Sequence, residues 1–176
     1  MCDSLYQRIN RIANWRIGIF LFLANWACIA AFNWRHHQLK LEPPDAKRHY
    51  SPDELYAFLD GIGENGRQLY AWTQITLDVI YPVVYCLLFA VLLVALYRWE
   101  KLRCVVWLPL LTGIFDLLEN VTTAYLAATF SSGRNDGLAQ VSPIFSTGKW
   151  WGVSICLALI LIGAIWKLVE WVRRKL

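Results

Sequence analysis

The 176-residue chain contains little charge, since only 17% of its residues are Asp, Glu, Lys or Arg. A soluble domain typically has about 25%. Disordered chains are rich in charge and poor in aromatic residues, so a chain with 15% aromatic residues is not one of them. Five cysteines are too few, and odd in number, for a disulfide-stapled miniprotein. The chain also lacks the Walker, G-x-S-x-G, H-E-x-x-H and C-x-x-C motifs, which are common signatures of nucleotide, hydrolase, metalloprotease and redox sites.

What the chain does have is long apolar blocks, which fit a small integral membrane protein. A helix needs about 20 apolar residues to cross a bilayer core of about 30 Å. The blocks do not alternate as barrel strands do, so we interpret them as helices. The sequence therefore predicts an all-α fold, a four-transmembrane-helix bundle in which residues 1–176 form a single membrane domain. The predicted spans cover about residues 17–34, 70–97, 104–130 and 150–172.

The first span has two interpretations. Arg8, Arg11 and Arg16 ahead of an apolar run also describe a secretory signal peptide. The run ends without an A-x-A cleavage site, however. An uncleaved anchor is therefore favoured over a cleaved peptide.

The positively charged residues predict the orientation in the membrane. Of the 17 Lys and Arg residues, ten lie in the N-terminal segment, the loop after the second span and the C-terminal tail, and seven lie on the other side. The ten are packed next to helix ends, and the positive-inside rule places such segments in the cytoplasm. Both termini are therefore predicted to be cytoplasmic (N-in/C-in). This distribution explains the net charge of +4, and no basic stripe indicates a nucleic-acid partner.

The predicted outer loop, residues 35–69, is too long to be a simple turn. Ser51 followed by Pro52 and Glu54 is typical of a helix start with a capping box. We predict a short amphipathic helix here, lying on the membrane or capping the bundle. The loop has no cysteine, so no disulfide is expected. Its histidines are not spaced to chelate a metal ion, so no metal is predicted, and no cofactor is predicted either. The apolar residues that recur at helical spacing are Leu55, Phe58, Leu59 and Ile62.

Three carboxylates lie well inside predicted spans, away from the span ends. An ionisable side chain costs about 2.5–3.5 kcal/mol at the centre of a span. Asp78 lies in the second span, and Asp116 and Glu119 lie in the third. Tyr81 and Tyr85 follow Asp78 by three and seven residues and therefore share its helical face. Each of the two spans thus presents a polar stripe.

Further residues extend this polar set. Asn120 follows Asp116 by four residues, on the same face. Pro82 removes the hydrogen bond to the Asp78 carbonyl and is expected to kink the second span. At 1.5 Å per residue the carboxylates of the two spans reach similar depths, about 12–16 Å from the outer end. Lys149 begins the fourth span on that side, where it either snorkels outward or pairs with a carboxylate.

The polar set has three interpretations. It forms a closed network that fixes helix packing, or a ligand site, or a proton or ion pathway. Three acids beside one base leave excess negative charge, so at least one carboxyl is expected to stay protonated, as in acid/base sites. The corresponding functions are a lipid- or small-ligand-binding or accessory membrane protein, a small intramembrane acid/base enzyme acting on a lipid-like substrate, and an oligomeric proton-linked transporter.

The hypotheses give roles to particular residues. In the enzyme hypothesis the catalytic acids and bases are the three intramembrane carboxylates, Asp78, Asp116 and Glu119. The ligand-binding candidates are Tyr81, Tyr85, Asn120 and Lys149. Membrane lipid and a hydrophobic small ligand are the expected partners, and transport through only four helices requires a homo-oligomer.

Several stretches together resemble a known group of proteins: Asp78-x-x-Tyr81-Pro82-x-x-Tyr85, Asp116-x-x-Glu119-Asn120 and Lys149-Trp150, preceded by Gly61-x-Gly63-x-x-Gly66-Arg67. The group consists of uncharacterised four-helix bacterial integral membrane proteins, and the resemblance covers roughly residues 50–170. It implies the four-helix architecture and a location in the bacterial cytoplasmic (inner) membrane. It implies no reaction.

Overall fold

A computed structural model describes residues 2–97 and 104–175, and these two ranges are helical with short connections. Short 3-10 turns lie at Pro44–Ala46 and Phe130–Ser132. The topology prediction also counts Arg98, Lys101 and Arg103, which lie outside the described residues. The α-helices in the described ranges are α1 (Cys2–Ile12), α2 (Trp15–Leu39), α3 (Pro52–Gly61), α4 (Gly63–Ile75), α5 (Leu77–Leu96), α6 (Trp107–Ala128) and α7 (Asp136–Arg173).

Within the described residues, four helical segments are long and apolar enough to cross a membrane, which confirms the all-α class and the number of candidate spans. The second of these joins α4 to α5, and helical geometry breaks between them at Thr76. Many large apolar side chains on these helices point outward, among them Phe20, Ile80 and Trp166 at more than half exposed. Such outward apolar surface is what lipid contact requires, because lipid tails are as apolar as the side chains. The segments are Trp15–Leu39, Gly63–Leu96, Cys104–Ala128 and Asp136–Arg173.

Side-chain caps begin three of the helices. Asn14 caps α2 and Asn135 caps α7, each by accepting a backbone N–H three residues ahead. At α3, the Ser51 hydroxyl accepts the Glu54 N–H at 3.1 Å, and the Glu54 carboxylate accepts the Ser51 N–H at 2.7 Å. These contacts satisfy backbone donors that a helix start would otherwise leave without a partner.

Two apolar cores hold the bundle. One core lies where α3 packs on α4, α6 and α7, and it includes Leu55, Leu59 and Tyr70, all fully buried. The other core lies around α5 and includes Ile9 of α1, a helix that the sequence had not predicted. The site described below lies between these two cores, because along α6 Asp116 and Glu119 lie between Val106 of one core and Leu126 of the other.

Helices α6 and α7 approach each other closely at glycines. A Cβ added at Gly148 would meet the Phe115 ring at 2.9 Å, and one added at Gly152 would clash with the Thr112 side chain. Small residues of this kind let membrane helices pack at short range. The close approach fixes the position of α7 along the axis of α6. It therefore also fixes the position of Lys149 relative to the carboxylates of α6.

The cysteines differ in state. Cys28, Cys86 and Cys156 are free and buried. Cys104, at the start of the third candidate span, is disulfide-bonded. The expectation that no disulfide forms is therefore wrong at Cys104.

Candidate functional site

Lys149 of α7 joins the two carboxylates of α6. Its Nζ lies 2.5 Å from Glu119 Oε2 and 3.5 Å from Asp116 Oδ1. The two acids are three residues apart on one helical face, so a single ammonium reaches both. The structure therefore orients the Lys149 side chain inward to the acids.

The Asp116 and Glu119 carboxylates of α6 each also accept a hydrogen bond from a tyrosine hydroxyl. Tyr50, from the loop before α3, donates to Glu119 Oε1 at 3.1 Å and lies 2.7 Å from the Ser142 hydroxyl. Burial, followed by the Glu119 charge, raises the pKa of Tyr50 above its ordinary value, which keeps the phenol neutral and able to donate. Tyr85 of α5 donates to Asp116 Oδ2 at 2.9 Å. Glu119 is fully buried by these contacts.

Asp78 pairs with a different cation. Arg35 Nη1 lies 2.5 Å from Asp78 Oδ2, and Arg35 Nη2 lies 3.5 Å from Asp45 Oδ2. Arg35 comes from α2 and Asp45 from the Pro44–Ala46 turn, and both residues are buried. The sequence had assigned both to the outer loop.

Asp45 connects the two pairs. Its carboxylate accepts hydrogen bonds from Tyr70 at 3.1 Å and from Gln74 at 3.0 Å, and its backbone carbonyl accepts one from Lys149 Nζ at 3.1 Å. Burial alone would raise the pKa of Asp45, but the charges of Arg35 and Lys149 and the two hydrogen bonds outweigh it and hold the pKa below its ordinary value.

Six charged side chains thus form one charge network, and none of them is more than 9% exposed. The network contains four carboxyl groups and two cations, so two carboxyl groups exceed the cations available. Buried charges are retained only where partners and hydrogen bonds compensate the loss of water. The members are Arg35, Asp45, Asp78, Asp116, Glu119 and Lys149.

A cavity of about 600 Å³ lies beside the charge network, and we call it the bundle cavity. Five network members line it, and Glu119 is not among its lining residues. The remaining lining residues are mostly apolar or aromatic and come from α2, α5 and α7. They include Ile29, Phe32, Leu88, Val153 and Leu157. The volume falls within the range of about 300–1,000 Å³ that is typical of small-molecule sites.

Four aromatic rings follow one another along a wall of the bundle cavity. The ring centroids of Phe32 and Tyr81 are 5.1 Å apart, those of Tyr81 and Tyr85 are 5.1 Å apart, and those of Tyr85 and Phe89 are 5.6 Å apart. These separations fall in the range of favourable aromatic pairs. All four residues line the cavity, and Trp150 lines it from α7.

The predicted site residues divide into two groups. Asp78, Asp116 and the candidate ligand-binding residues Tyr81, Tyr85 and Lys149 line the bundle cavity. Glu119 forms an ion pair with Lys149 without lining the cavity, and the Asn120 amide donates a hydrogen bond to the Asp78 backbone carbonyl at 2.5 Å. The latter two contacts position other groups of the site.

Arg35 and Asp45 are the residues that sequence reasoning missed. For Arg35 a signal existed: Leu21, Cys28 and Arg35 are buried residues of α2 at intervals of seven, so they share one face. For Asp45 no periodic signal existed, because its position depends on how the loop folds back between helices.

The chemistry available at this site is proton exchange, hydrogen bonding and ion pairing. Asp78 and Asp116 both lie in the cavity wall and pair with different cations, Arg35 and Lys149. Two carboxyl groups in different environments are the usual setting for acid and base roles. Within residues 2–97 and 104–175, no group of three or more His, Cys, Asp or Glu residues is arranged to hold a metal ion.

Fold and site together define a class of protein. The part of the chain that the structure describes is an all-helical bundle with four helices long and apolar enough to span a membrane, and a charge network lies beside its internal cavity. Compared with known proteins, the chain matches no family model, no curated protein and no solved structure.

Proposed function

We propose that this integral membrane protein binds an amphiphilic, lipid-like ligand in the bundle cavity. The observation that carries the proposal is the lining of the cavity, which is charged at one end and apolar at the other. Ligand sites of this kind combine a mainly apolar surface with a few polar groups that fix orientation. A closed structural network would require no adjoining cavity.

The polar and apolar ends are separated along the helices. On α5 the lining runs from Asp78 to Phe89, eleven residues or about 16 Å along the axis. On α7 it runs from Lys149 to Leu157, about 12 Å. A headgroup at Asp78 and Lys149 would therefore place its hydrocarbon chain against the apolar lining residues.

A cavity-filling variant tests the proposal. Val153 lines the bundle cavity and carries no charge, so Val153→Phe reduces the space without touching the charge network. Val83 is 53% exposed on the outside of α5, so Val83→Phe is the matched control. We expect mass spectrometry of co-purified lipids to find a bound species with the wild type and with Val83→Phe, at near-equal ratios to protein. Val153→Phe is expected to reduce that species at least ten-fold.

Identical bound lipids in all three proteins would contradict the proposal. Circular dichroism and gel filtration show whether Val153→Phe is folded. If it is not, Val153→Leu, which adds a smaller group, takes its place.

An intramembrane acid/base enzyme is the second candidate. The observation that favours it is the presence of both Asp78 and Asp116 in the wall of one cavity. Membrane lipid incubated with the wild type would then yield a product of altered mass or double-bond position. Asp116→Asn would yield none, and an unchanged lipid profile with the wild type argues against this candidate.

The topology forms part of the proposal: N-in and C-in, in a bacterial cytoplasmic membrane, with α3 as an amphipathic helix in the first outer loop. Of the seven cations on the predicted outer side, Arg35 and Lys149 are committed to buried ion pairs. Five then remain against ten, which strengthens the positive-inside bias.

Reporter fusions test the topology. Alkaline phosphatase, which is active only outside the cytoplasm, is expected to be active after Gly133 and inactive after the full chain. The reverse result would invert the topology. The experiment is needed because the charge count places Cys104 on the cytoplasmic side, where disulfides are rare, whereas Cys104 is disulfide-bonded.

The oligomeric proton-linked transporter stays a prediction.

A further inference from the structure

The polar end of the bundle cavity contains two cations and a larger number of carboxyl groups. This composition sets which headgroup the cavity accepts. The chemical class of the ligand can therefore be argued from the partners that each charge already has.

Lys149 Nζ lies close to three acceptor oxygens, two in ion pairs and one in a hydrogen bond. An ammonium group has three N–H bonds, and Lys149 Nζ lies within 3.5 Å of Glu119 Oε2, Asp116 Oδ1 and the Asp45 carbonyl oxygen. A phosphate or carboxylate headgroup would have to displace one of these acceptors, and two of the three carry negative charge.

Arg35 is engaged through its two Nη atoms, while its buried Nε has no hydrogen-bond partner among the described residues. Its Nη1 contacts Asp78 Oδ2 at 2.5 Å and Thr73 Oγ1 at 3.5 Å, and its Nη2 contacts Asp45 Oδ2 at 3.5 Å. The guanidinium also lies over the Phe32 ring, 4.9 Å from its centroid. The fork that binds anionic headgroups in other sites is therefore occupied by the protein's own acids.

The charge network has two more carboxyl groups than cations, so it carries a net charge of −2 when all four are ionised, and a positive ligand favours that ionised form. Four carboxyl groups face two cations, and three of the four, Asp45, Asp78 and Asp116, line the bundle cavity. In a site of low dielectric constant a positive ligand is attracted to such a surplus and a negative ligand is repelled by it. Glu119, the acid nearest to Lys149, is the carboxyl group of the network that does not line the cavity.

The aromatic wall points to the same sign of charge. The cavity is lined by the consecutive rings of Phe32, Tyr81, Tyr85 and Phe89, and Trp150 of α7 also lines it. Aromatic faces attract cations, and sites for quaternary ammonium groups are built from several such rings. Acids for charge and rings for contact area are what an alkylammonium head requires.

We propose that the bundle cavity selects a cationic amphiphile, an ammonium headgroup on a hydrocarbon chain, over an anionic one. The inference rests on the proposed function, because it assigns the ligand class of the same cavity. The ammonium lies among Asp45, Asp78, Asp116 and the rings of Tyr81 and Tyr85, and the chain extends toward Leu88 and Leu157.

The test compares probes that share one hydrocarbon chain. Full-length protein in non-ionic maltoside micelles is titrated with tetradecyltrimethylammonium, tetradecyl phosphate or tetradecanol, and binding is read by native mass spectrometry and thermal unfolding. We expect the ammonium probe to bind at least ten-fold more tightly than the phosphate. Tetramethylammonium, which has the head without the chain, is expected to bind at least ten-fold more weakly than the full probe.

Matched variants connect the preference to the cavity. Asp78→Asn and Asp116→Asn are each expected to reduce the ammonium-to-phosphate ratio at least five-fold. Asp60→Asn makes the same change at an exposed residue outside the cavity and is expected to leave the ratio unchanged. If an acid variant does not fold, Tyr81→Leu removes an aromatic face without altering charge and is expected to weaken the ammonium probe selectively.

The outcomes separate this inference from the proposed function. If no probe binds, the proposed function fails and the ligand class fails with it. If the phosphate or the alcohol binds as tightly as the ammonium, and Val153→Phe blocks all of them, the proposed function holds and the cationic preference is overturned. If tetramethylammonium binds as tightly as the long-chain probe, the ligand is a soluble amine and the amphiphile is overturned.

Discussion

The side-chain amide of Asn120 donates to the backbone carbonyl of Asp78 at 2.5 Å. In a regular helix that carbonyl would accept the N–H of residue 82, and residue 82 is proline, which has none. Asn120 on α6 therefore replaces a hydrogen bond that α5 cannot make. The same contact holds α5 at the level where the Asp78 carboxylate meets Arg35.

This relationship predicts a coupling between Asn120 and Pro82. Asn120→Leu leaves the buried Asp78 carbonyl without its partner and is expected to cost about 1–3 kcal/mol of unfolding free energy. Pro82→Ala restores the helical N–H, so Asn120→Leu is expected to cost less in that background. Chemical or thermal unfolding of the four proteins gives the coupling energy, expected to be about 1 kcal/mol. Additive effects would mean that the amide acts independently of the proline.

The ion pairs of Lys149 predict a large effect of removing its charge. Lys149→Met keeps most of the length of the unbranched side chain but leaves Glu119 and Asp116 without their cation. Losing one partner of a buried pair costs about 3–5 kcal/mol. Adding Glu119→Gln removes one of the uncompensated charges and is expected to restore part of the stability. Lys47→Met, at an exposed residue, is the control and is expected to change the melting temperature little. A double variant no more stable than Lys149→Met would contradict the pairing.

The lowered pKa of Asp45 predicts acid sensitivity. A carboxyl whose pKa is lower in the folded state stabilises the protein above its unfolded-state pKa, about 3.9. That stabilisation is lost as the pH falls through the folded-state pKa. The wild type should therefore be more stable than Asp45→Asn near neutral pH, and the difference should shrink below about pH 4. Melting temperatures measured against pH check this, and a difference that does not depend on pH would refute it.

The close approach of α6 and α7 predicts that Gly152 tolerates no side chain. A Cβ at Gly152 would lie 3.0 Å from Thr112 Cβ and 3.1 Å from its Cγ2, on a stiff β-branched residue. Gly152→Ala is expected to destabilise the protein by about 1–3 kcal/mol through overpacking. Gly137→Ala lies on the same helix, where the nearest neighbour is 3.6 Å away, and is expected to be neutral or slightly stabilising. Thermal unfolding of the two variants compares them directly, with equal effects ruling out the packing explanation.

The helical class and the four candidate spans were predictable, because length and hydropathy depend only on local sequence. The polar face of α5 was predictable for the same reason, since Asp78, Tyr81 and Tyr85 follow helical periodicity. These three residues do line one cavity. The start of α3 at Ser51 likewise follows from local chemistry, the capping contacts between Ser51 and Glu54.

The partners of the carboxylates were not predictable to the same degree. Arg35 had been counted as an outer charge because the predicted first span ended near residue 34, whereas α2 continues to Leu39 and keeps Arg35 on its buried face. Asp45 follows two prolines in a loop, and its burial depends on contacts with Tyr70 and Gln74, far along the chain. Local patterns carry no information about such contacts.

The dependence of the carboxylates on Lys149 also bears on how the chain is made. Asp78, Asp116 and Glu119 are synthesised before Lys149, which lies in α7. Until α7 inserts, the α6 acids have no cation, and the Asp45 carbonyl and the Tyr50 hydroxyl lack their α7 partners Lys149 and Ser142. During synthesis the charge network is therefore incomplete until α7 has packed against α6.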